Sequence, residues 1–275
     1  ARCAAPCARS SRRATTPTLR SKTPPPRGRN HQAYFWEYSR PGGPVIFDFQ
    51  MGRGREGPHA FLKGFKGKLQ TDAWHAYDGL GADIIQVGCW AHARRGFHQA
   101  HLLAPQDPQP VDILERIGQL YTIEAVARTA QMSASARAQL RQEKSAPVLV
   151  ELKSRILSLR QEATPASALG KACNYALKQW PRLEVFLSDG QLEIDNNWCE
   201  NAIRPLALGR KNWLHVGSEL AGPKIAAIVT VIETCRRLDL HVRAYLMDVL
   251  PRLPEWPINR VAELSPLVWK PPVKV

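Results

Sequence analysis

Two short runs, residues 33–38 (AYFWEY) and 45–50 (VIFDFQ), most constrain what this chain can fold into. Both are rich in aromatic and β-branched residues, and the Ser-Arg-Pro-Gly-Gly-Pro between them is a strong turn signal. Together they predict an antiparallel hairpin. A strand-and-helix rhythm follows. Residues 58–65 read as a short helix, 68–71 as a strand with Asp72 at its carboxyl end, and 74–80 as a helix. Residues 84–89 read as a further strand and 90–100 as a helix. A hairpin followed by alternating strand and helix predicts an α/β fold with a mixed sheet and flanking helices.

The pattern changes from about residue 111 to 187. Ile113, Leu114, Ile117, Leu120 and Tyr121 recur at helical spacing, as do Leu149, Leu152, Ile156 and Leu159 after Pro147. Leu169, Cys173, Ala176, Leu177, Trp180 and Leu183 continue the period, so three helices are predicted here. They would form an all-helical insertion within the α/β chain. Beyond it come an extended piece at 213–216, a helix at 224–238 (Ile225, Ile228, Val229, Ile232) and a helix at 242–250 stopped by Pro251. The resulting organisation is a basic tail without regular structure (1–28), a first α/β part (29–110), the insertion (111–190), a second α/β part (191–250) and a Pro-rich tail over the surface (251–275).

A chain of 275 residues, 44% hydrophobic and with eight tryptophans, has the means to bury a core. Its formal net charge is +14, and residues 1–30 hold eight of the basic residues and no acid. That balance suits a polyanionic partner such as nucleic acid. The six cysteines are scattered without the spacing of a disulfide framework, which predicts a reduced, cytoplasmic setting. No run approaches the ~20 apolar residues of a membrane span, and no signal peptide is visible, so no membrane partner is expected.

Chemistry concentrates in residues 192–213, LEIDNNWCENAIRPLALGRKNW. Glu200 stands between the triplet Asp195, Asn196, Asn197 and the cations Arg204, Arg210 and Lys211. A carboxylate beside cations suits a phosphodiester, because it can hold a hard metal ion while the cations bind phosphate. A local reading competes: Asn197-x-x-Glu200 has the spacing of a helix capping box. Asp72 is open in the same way, either as a ligand at a strand's carboxyl end or as an N-cap of the next helix. Two-metal phosphoryl transfer gathers several Asp/Glu side chains on a pair of ions roughly 4 Å apart. Cys89 and His92 form a Cys-x-x-His pair without the second pair that zinc requires, so a bracing role at the strand-to-helix turn is expected. Arg94 and Arg95 read either as phosphate contacts or as a solvated face.

In this order, several blocks are similar to the transposases of the insertion-sequence-66 family. They are Trp36-Glu-Tyr-Ser-Arg-Pro-Gly-Gly, Gly67-Lys-Leu-Gln-Thr-Asp72, Cys89-Trp-Ala-His92-Ala-Arg-Arg, Asp195-Asn-Asn-x-x-Glu200-Asn-Ala-Ile-Arg-Pro, Leu208-Gly-Arg-Lys-Asn-Trp213 and Ile232-Glu-Thr-Cys. The resemblance covers roughly residues 29–269. It implies a ribonuclease-H-like catalytic fold carrying a helical insertion, and a DDE-type site that cuts and joins double-stranded DNA at element ends with Mg²⁺, which Mn²⁺ can replace. It also implies a bacterial, nucleoid-associated setting and self-association on DNA. By motif match Asp72 is the second acid, Glu200 the third, and Cys89 with His92 the family's Cys-x-x-His signature. The family's first Asp sits in an Asp-Glu-Thr-Pro segment, where this chain has Ala14-Thr15-Thr16-Pro17-Thr18 and no acid before Glu37. With the change of composition near residue 28, this predicts a truncated or frameshifted chain whose catalytic set is incomplete. The alternative is a DNA-binding remnant that performs no chemistry.

Overall fold

The computed structural model describes residues 7–10, 31–213 and 216–271. The chain divides into two compact units, one centred on Gly64–Asn197 and the other on Pro6–Lys63 together with Trp198–Val275. The split unit opens with β1 (Cys7–Ser10), β2 (Tyr34–Ser39) and β3 (Val45–Gln50), each antiparallel to the next. Four residues of the stretch expected to lack regular structure thus pair with β2, Cys7 facing Ser39 and Ser10 facing Trp36. The expected hairpin forms, in a register running from Tyr34–Gln50 to Ser39–Val45. Gly42, at φ +65°, lets the connection turn, and the Gly43 amide closes it on the Arg40 carbonyl at 3.0 Å. Helix α1 (Glu56–Phe61) ends earlier than its predicted span, because the backbone leaves helical geometry at Leu62 and Gly64 adopts φ +80°.

In the central unit, β4 (Gly67–Thr71) and β5 (Ile84–Val87) pair in parallel, Gly67 opposite Ile84 and Gln70 opposite Val87. The helix expected over 74–80 does not form. A single 3-10 turn, His75–Tyr77, stands there, stopped by extended Asp78 and by Gly79 at φ +80°. Then come α2 (Trp90–Leu103), α3 (Gln109–Thr129), α4 (Ala134–Leu140), α5 (Ala146–Glu162) and α6 (Ala168–Leu183). The predicted spacing held for α3, α5 and α6, whose buried faces carry Ile113, Ile117 and Leu120, then Leu149, Leu152, Ile156 and Leu159, then Leu169, Cys173, Ala176, Trp180 and Leu183. The fourth helix, α4, buries no residue, so it has no apolar period to read. Helices α2, α3, α5 and α6 share one core with Val87 of β5, and Trp90 meets Trp180 edge-on at 5.7 Å.

The split unit resumes with α7 (Asn197–Ala202), α8 (Arg204–Trp213), α9 (Ala221–Arg237) and α10 (Val242–Arg252). Trp213, predicted to open an extended piece, is the last residue of α8, and residues 214 and 215 lie outside the described residues. The sheet face bearing Phe35, Phe47 and Phe49 packs on Ala202, Ile203, Leu206 and Ala226. Gly222 brings α9 close to the sheet: a Cβ there would lie 2.3 Å from the Phe49 ring. Threonines of α9 serve the outer edge of β3. Thr230 accepts the Phe47 amide at 2.9 Å, and Thr234 both accepts from Val45 N–H and donates to the Val45 carbonyl. An otherwise open strand edge is thereby closed to other chains. Helix α10 runs through Pro251 to Arg252, and the mostly exposed Pro-rich end is anchored where Leu264 and Trp269 are buried with Cys235, Tyr245 and Val249. Among the described residues no helix is long and apolar enough to cross a membrane.

Candidate functional site

The Asp-Asn-Asn triplet is fastened on several sides within the central unit. Asn196 is fully buried. Its Oδ1 accepts the Cys89 thiol at 2.9 Å, and its amide donates back to Cys89 Sγ at 3.5 Å. Asp195 accepts the Asn197 amide at Oδ1 and both the Tyr121 hydroxyl and the Asn197 side-chain amide at Oδ2, all between 2.9 and 3.0 Å. Burial, then the charge of Asp195, pushes the Tyr121 phenol far above its ordinary range, so it stays a donor. The flanking backbone is tied down too. Trp90 N–H donates to the Ile194 carbonyl, and buried Gln70 bridges the Gly88 and Glu193 carbonyls from the end of β4. Asp195 therefore acts as a structural acceptor, and Cys89 braces the triplet.

This arrangement revises the capping-box reading. Asn197 is the first residue of α7 and gives its side-chain amide to Asp195, so Asp195 supplies the acceptor at the helix start. Glu200 follows inside α7, half-buried. Its neighbour Cys199 is fully buried with Sγ 3.5 Å from Ser39 Oγ, while Trp198 on the other side is exposed. Arg204 opens α8 and is exposed; Arg210 and Lys211 lie further along α8, with side chains outside the described residues.

In the central unit, Asp72 is half-buried just past β4, and its Oδ1 accepts the Trp74 amide at 3.1 Å. That closes an Asx turn two residues on, not the cap of a regular helix. His92 is half-buried on α2, with Arg94 and Arg95 exposed beside it. Asp72 and Glu200 belong to different units. Among the described residues no group of three or more His, Cys, Asp or Glu gathers as a metal cluster would.

Two further acids lie on the hairpin strands, and Asp48 is the nearest candidate in sequence for the missing first acid. Glu37 is fully buried on β2, on the same sheet face as Ser39 two positions on. Asp48 on β3 is half-buried, and burial raises its carboxyl above the usual range although Gln50 donates to it at 2.7 Å.

A family model described as the IS66 family of transposases matches residues 15–224, and a second, the IS66 C-terminal element, matches 230–267. The chain belongs to the IS66 transposase family. Three similar proteins, all uncharacterized and all from Sinorhizobium fredii, extend the comparison. The protein y4qI is 34% identical across 94% of this chain and 50% of its own length. The protein y4hP is 32% identical, covering 82% and 44%, and y4jD is 34% identical, covering 84% and 47%. The chain thus spans about half the length of these curated relatives. No solved structure matches it.

What the family blocks do in this IS66-family chain is partly structural. The Ile-Glu-Thr-Cys block supplies Thr234 to the edge of β3 and Cys235 to the carboxyl-end core. The segment before the triplet is held by a charged cluster that the motifs do not include. Arg141, on a π-helical turn (Arg141–Ser145) between α4 and α5, is fully buried. Its guanidinium donates to both oxygens of Glu124, at 2.6 and 2.8 Å, and to the carbonyls of Phe186, Asp189 and Leu192, each at 2.8 Å. Arg137 joins Glu124 to Glu193 and also reaches the Gly190 carbonyl. Burial alone would raise the Glu124 carboxyl, but the hydrogen bonds and charges of Arg141 and Arg137 outweigh it and hold it low. Lys68 pins Asp189 at 2.8 Å. In sequence, Arg141 and Glu124 look like ordinary surface charges of helices, so no signal pointed to them.

Proposed function

We propose that this chain is the catalytic region of an IS66-family DNA transposase with a ribonuclease-H-like fold, and that as written it binds double-stranded DNA without cutting it efficiently. The carrying observation is the family match over residues 15–224, which spans both motif acids, Asp72 and Glu200. The antiparallel β1–β2–β3 and the parallel β4–β5 pair, each within its own unit, agree with that fold.

In this reading Asp72 and Glu200 hold a hard divalent cation, Mg²⁺ or Mn²⁺, at a phosphodiester of the element end. Bound there, such ions supply activation of the attacking water and stabilisation of the leaving oxygen. Two carboxylates are fewer than a two-ion site needs, and residues 1–36 contain no acid. The same observation supports a second reading, a DNA-binding protein without chemistry. Arg94, Arg95, Arg204, Arg210 and Lys211 are the proposed phosphate contacts, exposed on α2 and at the start of α8 where their side chains are described.

The test measures duplex affinity against salt and strand cleavage with Mg²⁺ on element-end DNA. Log affinity should fall steeply with log salt because phosphates neutralised by basic residues release counterions. A flat dependence removes DNA as the partner. Robust cleavage by the unaltered chain, abolished by Glu200→Gln, would show that another acid completes the site and would overturn the expectation of inactivity.

A further inference from the structure

An indole beside the candidate acid is left in the open. Trp198 lies in α7 two residues before Glu200 and is 45% exposed, whereas Trp36, Trp90, Trp180 and Trp269 are all buried. The helix itself imposes this. Cys199 faces Ser39, and Ala202 packs into the sheet-facing core, so the position before Cys199 turns away from that core. The ring is nevertheless fixed in place. Arg237 of α9 lies over it, with the guanidinium carbon 6.0 Å from the ring centroid, and Arg237 Nη2 donates to the Trp198 carbonyl at 2.9 Å.

An exposed indole with a guanidinium beside it matches the two parts of a nucleotide. The base stacks on the ring and a phosphate oxygen accepts from the guanidinium. Bases within a duplex are stacked on their neighbours, so only an unpaired base can use the ring. We propose that Trp198 and Arg237 form a receiving platform for one unpaired nucleotide next to Glu200. This rests on the reading of the chain as a DNA-binding transposase region, and it adds that the DNA is engaged with a base out of the stack.

The experiment compares two labelled DNAs with the full chain by fluorescence anisotropy: a fully paired blunt duplex, and the same duplex with a short single-stranded extension. The parent chain should prefer the extended DNA by about 5- to 150-fold, the range expected for stacking one base on an aromatic side chain. Trp198→Ala should abolish that preference while paired-duplex affinity moves far less, and Trp198→Phe should keep most of it. Arg237→Gln should reduce the preference and lower the salt slope for the extended DNA by about one. Should the alanine variant fail to fold, Trp198→Leu, which fills space without a π face, takes its place and should also lose the preference. No preference in the parent, a preference that survives Trp198→Ala or Trp198→Leu, or an equal loss on both DNAs overturns the proposal while leaving duplex binding intact. Failure to bind either DNA overturns the transposase reading and the proposal together.

Discussion

Replacing Arg141 by Met should cost the central unit about 3–5 kcal/mol, the usual penalty for removing one partner of a buried ion pair. The structure argues for the lower half of that range. Arg137 would still hold Glu124 from its other side, so the carboxylate would not be wholly abandoned. Against that, the carbonyls of Phe186, Asp189 and Leu192 would each lose a 2.8 Å donor in a region where Arg141 itself has no exposure. For a domain of this size each kcal/mol lowers Tm by about 3–5 °C, so the melt should fall by about 10–20 °C. Thermal melts followed by circular dichroism, with urea unfolding for the free energy, measure this directly. A double variant, Arg141→Met with Glu124→Leu, should recover part of the loss, since buried pairs are often replaceable by apolar groups of similar volume. A loss below about 1 kcal/mol in the single variant, or strict additivity in the double, would refute the view that this cluster clamps the 186–195 segment.

Other expectations follow from the same geometry. Because Glu124 is held below its ordinary range, its contribution is complete above the unfolded carboxyl range, about 4.3, and is lost as pH falls through the lower folded value. Glu124→Gln should therefore flatten the decline of the urea midpoint below pH 4.5, and an unchanged decline would show that other acids govern it. Tyr121→Phe removes the hydroxyl donor to Asp195 and should cost about 1.5–3 kcal/mol in urea unfolding, the range for a hydrogen bond to a charged group; no measurable change would mean that the clasp is not energetically important. Gly190→Ala places a Cβ 1.8 Å from the Ala134 carbonyl oxygen, so the backbone must shift. It should lower stability by at least about 1–3 kcal/mol, and a melt equal to the parent's would count against the close approach of that loop to α4.

The elements that the sequence by itself determined are those whose cause is local. The hairpin follows from two aromatic, β-branched runs around a Pro-Gly-Gly turn, and Gly42 does adopt the positive φ that such a turn uses. Helices α3, α5 and α6 follow from apolar residues spaced on one face, and those same residues fill the core. The candidate acids Asp72 and Glu200 stand out in the sequence because their neighbouring motifs are contiguous in the chain. Where local evidence misled, tertiary geometry had the last word: the helix expected at 74–80 shrank to one 3-10 turn, and the segment at Trp213 stayed helical. The most consequential features were invisible from sequence for one physical reason. Whether a charged or polar side chain is buried depends on partners brought together by folding. Cys89 meets Asn196 across 107 positions, Tyr121 meets Asp195 across 74, and Arg141 reaches Leu192 across 51. No local period records such pairings, so only the tertiary structure could turn an Asp-Asn-Asn triplet from a run of polar residues into a buried, hydrogen-bonded clasp of the central unit.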